Sequence, residues 1–322
     1  MISIGIDVGG TFVKFCAADK KGKIIKSLQL DTDMSKGPDG FIKQMADVVN
    51  EWKKIFKGEK IIAAIGVPGD VDGKNGVLRF GTNLKFKGKH FKNVKIADGI
   101  KKLTGVKPVL ANDAAMAAWG VYGTVIKGKY KNVLVLTMGT GIGGGLIFGG
   151  KLFQGSHGAA GEIGHIKISE SPDAPVCGCG ARGCLEAYAG TRGILRMVKE
   201  EAGKNPESIL AACAGDLKDF KVECVYEAAR RGCKSAKKVW AAVGHAAGAG
   251  IAGAVTLLDL EAVVLAGGVS RAHKYFMPAL QKCLDGQRIR TPFDHLKIYT
   301  SAPPQTGGLG AALYAVNYFN VK

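Results

Sequence analysis

The feature that most constrains the fold is a strand, a glycine-rich turn and further short strands, a pattern that occurs twice along the chain. The first copy covers residues 2–30, with the turn Asp7-Val-Gly-Gly-Thr11 after its first strand. The second copy covers residues 132–153, with a longer glycine loop at 138–145. Apolar runs joined by tight Gly or Asp turns are typical of an antiparallel meander. The repetition predicts a duplicated fold.

Alternating helical and strand patterns follow each meander. The predicted helices and buried strands after the first copy lie at 40–56, 60–67, 96–104 and 108–111, and those after the second lie at 224–258 and 262–266. This order predicts two α/β halves that face a central cleft, with the glycine loops at strand ends that open onto it. We expect a smaller domain over 1–112 plus about 303–322, and a larger one over 113–302.

Length and composition are those of a packed globular protein. The chain has 322 residues, 47% of them hydrophobic, and 47 glycines that cluster in loops. We find no apolar signal segment before the first strand and no run that approaches the ~18 apolar residues of a membrane span. We therefore expect a cytoplasmic, reduced protein with no membrane partner.

Cysteines in the middle of the chain have the spacing of a metal site. His165 is followed by Cys177, Cys179 and Cys184, with glycines between the thiols. One imidazole and three thiolates can close a tetrahedral shell around zinc, whereas a disulfide is the alternative that a reduced compartment disfavours. Two carboxylates flank this segment, Glu162 and Glu186. The cysteines expected as free thiols in the core are Cys16, Cys213, Cys224 and Cys283.

The second glycine loop contains a GxGxxG match at 139–144. A dinucleotide-binding unit requires a helix directly after these glycines, and a strand pattern follows instead. We therefore interpret the segment as a hairpin loop whose amides face a phosphate. Each of the two loops also carries a hydroxyl, Thr11 and Thr140. There is no GxxxxGK[ST] sequence.

Taken together, the motifs of this chain resemble those of the ROK family of repressors, open reading frames and sugar kinases. The motifs that carry the resemblance are Asp7-Val-Gly-Gly-Thr11, Gly66-Val-Pro-Gly69, Asn83-Leu84, Asn112-Asp113, the loop 139–145, Glu162-Ile-Gly-His165, Cys177-x-Cys179-Gly-x-x-Gly-Cys184-x-Glu186 and Ala266-Gly-Gly-Val269. They follow the family's order over almost the whole chain.

The resemblance implies a duplicated actin-like, hexokinase-type (ribonuclease H-like) α/β fold with two domains around a sugar and ATP cleft. It implies zinc on His165, Cys177, Cys179 and Cys184. Family repressors carry a DNA-reading helix-turn-helix ahead of the first strand, which here starts at Ile2. We therefore expect an ATP-dependent hexokinase, glucokinase-like, that makes glucose 6-phosphate.

Asp113 is the candidate catalytic base. It lies between a buried strand and an Ala-rich helix, a cleft-facing position where a carboxylate could orient a sugar hydroxyl and take its proton. Helix N-capping is the alternative, because Asp is common at such a junction. The sequence alone leaves the two roles open, and the family resemblance favours the base.

Further site residues follow from the resemblance. The predicted sugar contacts are Asn83, Asn112, Asp113, Glu162, His165 and Glu186, with support of the zinc loop as the alternative role of the two glutamates. The predicted nucleotide contacts are Asp7, Gly9, Gly10, Thr11, Lys14, Gly139, Thr140, Gly141, Gly267 and Gly268. Among these, Asp7 would steer Mg²⁺ through water.

The formal net charge of +18 permits two interpretations. A lysine-rich solvated surface is the simpler one. The other rests on five lysines dense after Asn83, which could attract polyanions: Lys85, Lys87, Lys89, Lys92 and Lys95. Polyphosphate as the phosphoryl donor, or nucleic acid held without sequence preference, would fit such a strip. We expect no sequence-specific nucleic-acid partner.

Substrate choice stays open, because pocket shape decides among similar sugars. The alternatives to glucose are fructose and N-acetylated hexosamines, namely N-acetylmannosamine and N-acetylglucosamine. A non-catalytic sugar-binding regulator is the alternative of another class. The family often forms homodimers or homotetramers, and the sequence does not choose between them.

Overall fold

The computed structural model describes residues 1–215, 220–301 and 306–319, and it describes the side chains of all of these except 213–215 and 306. Contacts group the chain into two compact units. The first unit comprises 1–131, 145–161 and 303–322, and the second comprises 132–144 and 162–302.

Eight strands and three helices make up the chain to residue 121. In order they are β1 (Ile2–Val8), β2 (Phe12–Ala18), β3 (Ile24–Asp31), α1 (Gly37–Ile55), β4 (Ile61–Val67), β5 (Gly69–Asp72), β6 (Val77–Phe86), β7 (Lys89–Val94), α2 (Ile96–Thr104), β8 (Val109–Asn112) and α3 (Asp113–Val121). A single π-helical turn, Tyr122–Ile126, follows α3.

The rest of the chain is mostly helical. In order its elements are β9 (Val133–Met138), β10 (Ile142–Phe148), β11 (Lys151–Phe153), α4 (Glu186–Ala189), α5 (Thr191–Lys204), α6 (Ile209–Gly215), α7 (Val222–Arg230), α8 (Lys234–Leu258), β12 (Ala262–Ala266), α9 (His273–Asp285), α10 (Thr291–Asp294), β13 (Lys297–Ser301) and α11 (Thr306–Tyr318). Short 3₁₀ turns cover Ile163–His165 and Val269–Ala272.

Two five-stranded sheets repeat one arrangement. The first has the order β3-β2-β1-β4-β8 and the second β11-β10-β9-β12-β13. In the first, β1, β2 and β3 form an antiparallel meander, and β4 and β8 extend it in parallel from β1. In the second, β9, β12 and β13 are parallel and β10 pairs with β11 antiparallel. The duplication and the α/β fold class predicted from the sequence are confirmed.

The core of the first unit explains why its central strands are almost wholly apolar. β1 is buried on both faces, as strands covered by helices usually are. Trp52 of α1 is fully buried and meets the Phe15 ring edge-on at 6.2 Å between centroids. On the other face α11 packs so closely that a Cβ at Gly5 would collide with the backbone of Gly308. This fixes the middle of β1 beside the first turn of α11.

The units differ from the predicted domains in one respect. Residues 113–131 and 145–161 group with the first unit, not with the larger second one. The reason is that α3 packs against α11: a Cβ at Gly310 would collide with the backbone of Met116. The domain boundary at 112/113 stays a prediction.

The sequence analysis expected no apolar run long enough to span a membrane, and α8 contradicts this expectation. It is long and apolar enough, by length and composition only, to cross a membrane. Half of the most apolar 18-residue stretch of α8 is buried in the second unit, where α8 packs against α9. At Gly244 the helices approach so closely that a Cβ would collide with the carbonyl oxygen of Phe276. The apolar run therefore serves as a core helix of this unit.

Three of the cysteines expected as free thiols have described side chains. Cys16 is free and buried, and burial raises the pKa of its thiol to about 11. Cys283 is free and half-buried. Cys224 is disulfide-bonded, which differs from the expectation. The side chain of Cys213 lies outside the described residues.

Candidate functional site

In the first unit, the loop between β1 and β2 has its peptide groups fixed by backbone and side-chain bonds. Gly9 N donates to Phe12 O at 2.8 Å, and the Thr32 hydroxyl donates to Gly9 O at 2.8 Å. Gly10 and Thr11 are exposed. A Cβ at Gly10 would lie 3.2 Å from Cβ of Asn83, so this loop passes directly beside the exposed Asn83 of β6.

Asp7 is the polar residue near the end of β1. It faces Lys14 across the antiparallel pair, and its carboxylate lies so close to α11 that a Cβ at Gly307 would collide with it. Burial raises the pKa of Asp7, and the nearby positive charge of Lys14 opposes that rise. A nearby cation stabilises the charged form of such a buried carboxylate, because the cation offsets the hydration that the carboxylate has lost.

Asn112 and Asp113 lie where β8 becomes α3. Asn112 is the N-cap: its Oδ1 accepts from the backbone N–H of Ala114 at 2.8 Å and of Ala115 at 3.3 Å. Its Nδ2 donates to Gly69 O at 3.2 Å. Asp113 is therefore the first residue of the helix and not its cap, so the N-cap alternative for Asp113 is wrong.

Asp113 stands at the carboxyl end of parallel strands. β4 and β8 pair in parallel up to Val67 and Asn112, and Asp113 follows directly. Its side chain is half-buried, and its Oδ1 accepts from Ala114 N at 3.0 Å. A Cβ at Gly66 would lie 3.2 Å from Cα of Asp113, which requires a small residue in the neighbouring strand. In open α/β sheets, ligands bind outside the carboxyl ends of the strands.

In the second unit, the predicted metal ligands come together. One ligand atom each from His165, Cys177, Cys179 and Cys184 lies within 4.8 Å of all the others. The Cys179 and Cys184 sulfurs are 3.8 Å apart, and Cys177 Sγ is 3.7 Å from Nδ1 of His165. Zn–S bonds of ~2.3 Å in a tetrahedron give edges of about 3.8 Å. The donor set and its spacing therefore fit a zinc ion.

The backbone of the cysteine loop explains its glycines. Cys177 N donates to Ala181 O at 2.8 Å, which closes a tight turn. Gly183 has a φ of 77°, and a Cβ there would collide with Ser169 O. Burial raises the pKa of the Cys177 thiol to about 12, whereas the Ala181 amide lowers that of Cys179. A bound metal would replace the thiol protons.

His165 presents its two ring nitrogens in different directions. Nδ1 points to the cysteine sulfurs, and Nε2 lies 3.9 Å from Oε2 of Glu162, too far for a hydrogen bond. With Nδ1 on a metal, Nε2 carries the ring proton and is a donor. Both side chains are exposed. The pair offers a donor and an acceptor to a polar ligand.

Glu186 joins the cysteine loop to the second glycine loop. Its Oε2 accepts from Ile142 N at 2.9 Å, and its Oε1 lies 3.6 Å from the Cys177 sulfur. A Cβ at Gly141 would collide with Oε2. These contacts match the alternative role given above to Glu186, support of the zinc loop.

The glycine loop between β9 and β10 borders a cavity of about 560 Å³ in the second unit. Gly139, Thr140 and Gly268 line it, and Gly141 closes the loop by accepting from Gly139 N at 2.9 Å. Gly267 lies behind Gly268, with a φ of 93° and no room for a Cβ against Met138 O. Five of the predicted nucleotide residues are thus placed together at β-strand ends.

Sequence reasoning missed the other walls of this cavity. They come from the start of α5, from α7 and its preceding residues, from α8, and from the turn after β12. The residues are Thr191, Phe220, Lys221, Val222, Glu223, Tyr226, Glu227, Trp240, Val269, Arg271 and Ala272. No motif marks α7, so only packing could reveal it. Thr191 had a signal, because it closely follows the cysteine segment.

Comparison with known proteins agrees with this arrangement. The model of the ROK family matches residues 3–317. The chain is 34% identical to the glucokinase of Thermotoga maritima over 88% of this chain and 87% of that protein, and 33% identical to the glucokinase of Streptomyces coelicolor over 84% and 82%. A ROK family glucokinase from Streptomyces griseus, solved with glucose and AMPPNP, has a TM-score of 0.78 and 30% identity, with 98% of this chain and 100% of that chain covered.

Proposed function

The chain belongs to the ROK family, and we propose that it is an ATP-dependent hexokinase that converts glucose to glucose 6-phosphate. The similarity to two glucokinases at 33–34% identity supports the sugar. The single observation that carries the chemistry is the position of Asp113, which opens α3 while Asn112 takes the capping role. A capping role therefore does not explain an aspartate at this position.

Asp113 acts as the general base. Its carboxylate orients the 6-hydroxyl of the sugar and accepts its proton as that oxygen bonds to the γ-phosphorus of ATP. The bond between the γ-phosphorus and the β,γ-bridging oxygen breaks, and ADP leaves. Positioning and charge stabilisation supply most of the rate, because a loose phosphoryl transition state needs little covalent help.

The sugar hydroxyls bind to polar side chains, because each buried hydroxyl needs partners. We assign Asn83, Asn112, Asp113, Glu162, His165 and Glu186 to this task. His165 Nε2 is the donor that supports the assignment best, since Nδ1 faces the cysteines. Glu186 already meets Ile142 N and Cys177, and a carboxylate has about four lone-pair sites. It can therefore bind a hydroxyl as well.

We assign the phosphates of the nucleotide to the two glycine loops. Gly9, Gly10 and Thr11 on one loop and Gly139, Thr140 and Gly141 on the other provide amides and hydroxyls for phosphate. The adenosine occupies the cavity of about 560 Å³ beside Gly267 and Gly268. Asp7 would hold Mg²⁺ through water, and Lys14 would approach a phosphate. When bound, Mg²⁺ neutralises phosphate charge during transfer.

The zinc site supports the sugar site. His165, Cys177, Cys179 and Cys184 would hold the ion, which fixes the imidazole ring so that Nε2 points outward. We also assign the protein to the cytoplasm and to a homodimer or homotetramer, as expected for a kinase of this family. Fructose and N-acetylated hexosamines are the substrates to compare with glucose.

The decisive experiment measures ADP release from Mg-ATP with glucose, mannose, fructose, allose, N-acetylglucosamine and N-acetylmannosamine. Asp113→Asn serves as the blank, because it keeps shape and loses the base. A preference for glucose that vanishes in the variant supports the proposal. Activity confined to an N-acetylated sugar would keep the mechanism and replace the substrate. Glucose binding without turnover of any sugar would favour a regulator.

A second candidate donor, inorganic polyphosphate, is favoured by one observation. Lys87 and Gly88 form the tip of the β6–β7 hairpin with φ values of 49° and 76°. Around this tip the exposed lysines are Lys85, Lys87, Lys89, Lys92 and Lys95. Within the described residues, none of these five forms an ion pair with a carboxylate.

An uncompensated strip of this kind attracts a chain of phosphates. Of the two aromatic residues in this segment, Phe91 is buried, and Phe86 packs partly buried against the core with its ring 3.3 Å from the position a Cβ would take at Gly37. Both side chains thus anchor the hairpin. This favours polyphosphate over nucleic acid. Salt-sensitive glucose phosphorylation with polyphosphate, lost when Lys85, Lys87 and Lys89 are changed to Gln, is the expected result. Retention of DNA without donor activity would contradict it.

A further inference from the structure

The segment from Glu186 to Thr191, which begins two residues after Cys184, holds both ends of the glycine loop 139–142. At one end, Ile142 N donates to Glu186 Oε2 at 2.9 Å. At the other end, Gly139 O accepts from Thr191 twice, from its backbone N at 3.1 Å and from its hydroxyl at 2.9 Å. We call residues 186–191 the clamp.

The clamp is packed against the loop without spare space. A Cβ at Gly141 would collide with the Glu186 carboxylate, and a Cβ at Gly190 would lie 3.3 Å from Thr140 O and 2.9 Å from Glu186 O. α4 is a single turn between the two ends, closed by Gly190 N donating to Glu186 O at 3.0 Å. A shift of the clamp must therefore shift the loop.

The cysteine cluster in turn fixes the clamp. Cys184 is fully buried and lies two residues before Glu186, and Ala187 N donates to Cys184 O at 3.0 Å. The Cys177 sulfur lies 3.6 Å from Glu186 Oε1. The metal ligands thus reach the glycine loop through one covalent connection and one side-chain contact.

We infer that Glu186 and Thr191 are positioning residues through which the zinc centre sets the geometry of the phosphate-binding loop, so that loss of zinc weakens nucleotide binding even without sugar. This inference rests on the proposed function, because it takes the loop 139–142 to bind ATP phosphates. It goes beyond it by giving zinc a role on the nucleotide side of the site. Thr191 positions the loop through Gly139, because the hydrogen of its hydroxyl is donated to Gly139 O.

The test uses zinc-loaded protein and calorimetric titration with Mg-AMPPNP in the absence of sugar. Thr191→Val removes the hydroxyl donor at nearly constant shape, and Thr191→Ser restores it. Because Thr191→Val loses one hydrogen bond, we expect its affinity for AMPPNP to be lower than that of the wild type by roughly three- to tenfold. The affinity of Thr191→Ser should be close to that of the wild type. Thr256→Val, at an exposed position of α8, controls for the substitution itself.

Adenosine, which has no phosphates, separates this inference from a direct contact of Thr191 with the nucleoside. Thr191 also lines the cavity assigned to the adenosine, so Thr191→Val should weaken adenosine binding by a smaller factor than AMPPNP binding. The affinity for glucose should not change. Equal weakening of adenosine and AMPPNP, or no weakening of either, would overturn the inference. Wild-type protein that binds no AMPPNP at all would overturn the proposed function, and this inference with it.

Zinc removal is the second arm. Chelated protein that keeps its circular dichroism spectrum should bind AMPPNP at least about tenfold more weakly, and zinc should restore binding. In Glu186→Met, chelation should weaken AMPPNP binding by a smaller factor than in the wild type. The reason is that the effects of two changes within one interaction network are not additive. If chelation weakens glucose binding and leaves AMPPNP binding intact, the zinc centre acts on the sugar alone and the inference is wrong.

Discussion

The carboxamide of Asn112, and not the carboxylate of Asp113, caps the N-terminus of α3. The two adjacent residues therefore have separate tasks. Asn112 satisfies backbone donors of the helix and ties it to Gly69 O, while Asp113 begins the helix at the carboxyl end of β8. The division of roles makes a clear mutational test possible.

Asp113→Asn should lower kcat by about 10²- to 10⁴-fold, the range of a general base. Its folding should be intact, because the cap is Asn112. The measurements are steady-state ADP release, thermal unfolding and glucose binding by calorimetry. The matched variant is Asn112→Ala, which should cost about 1 kcal/mol of stability through the lost cap. Near-normal turnover in Asp113→Asn would remove Asp113 from the mechanism.

Loss of a zinc ligand should weaken both folding and sugar binding. Cys184 is fully buried, so Cys184→Ser should release zinc and lower the unfolding temperature by several degrees or more, since a structural site contributes its binding energy to folding. Metal content by mass spectrometry and thermal unfolding are the measurements. Cys283→Ser, at a free thiol outside the cluster, is the control. Full zinc content in Cys184→Ser would contradict the ligand assignment.

Two glycines of α8 should respond to alanine in opposite ways. At Gly244 a Cβ would collide with the backbone of Phe276, so Gly244→Ala should destabilise the protein by about 1–3 kcal/mol as α9 is displaced. Around the position that a Cβ would take at Gly253, no atom lies within 4 Å. Gly253→Ala should therefore stabilise the protein by about 0.5–1 kcal/mol, because alanine has the higher helix propensity. Urea unfolding of both variants measures this difference. Equal effects would mean that α8 and α9 pack differently.

Asp7 should make stability depend on pH. Burial raises its folded-state pKa above the ordinary value of 3.8. Protonated Asp7 therefore makes its full contribution to the free energy of unfolding below pH 3.8. This contribution is lost as the pH rises through the pKa that Asp7 has in the folded protein. Asp7→Asn should be more stable than wild type at pH 7, and the difference should vanish below pH 3.8.

Unfolding free energies of the two proteins between pH 3 and pH 7 test this prediction. The same substitution should lower activity at pH 7, because Mg²⁺ loses its carboxylate. A variant that is less stable than wild type at pH 7 would show that the carboxylate is paired well enough to offset its burial.

Sequence alone determined what depends on short spacing and periodicity. The duplicated meander, the α/β class and the cluster of four candidate metal ligands were all predictable, because turns, strands and a four-residue donor cluster are specified by residues near one another in the chain. The glycine loops were recognisable for the same reason. Their φ values and close approaches, as at Gly183 and Gly267, explain why glycine is required there.

Only the tertiary structure decided which groups meet across long separations. It showed that Glu186 reaches Ile142, that Thr191 holds Gly139, and that α7 lines the cavity beside Gly268. It also showed α8 as a core helix of the second unit, although its composition alone would fit a membrane span. Such contacts depend on how distant elements pack, and packing is set by the combined shape of many side chains, which no local pattern encodes.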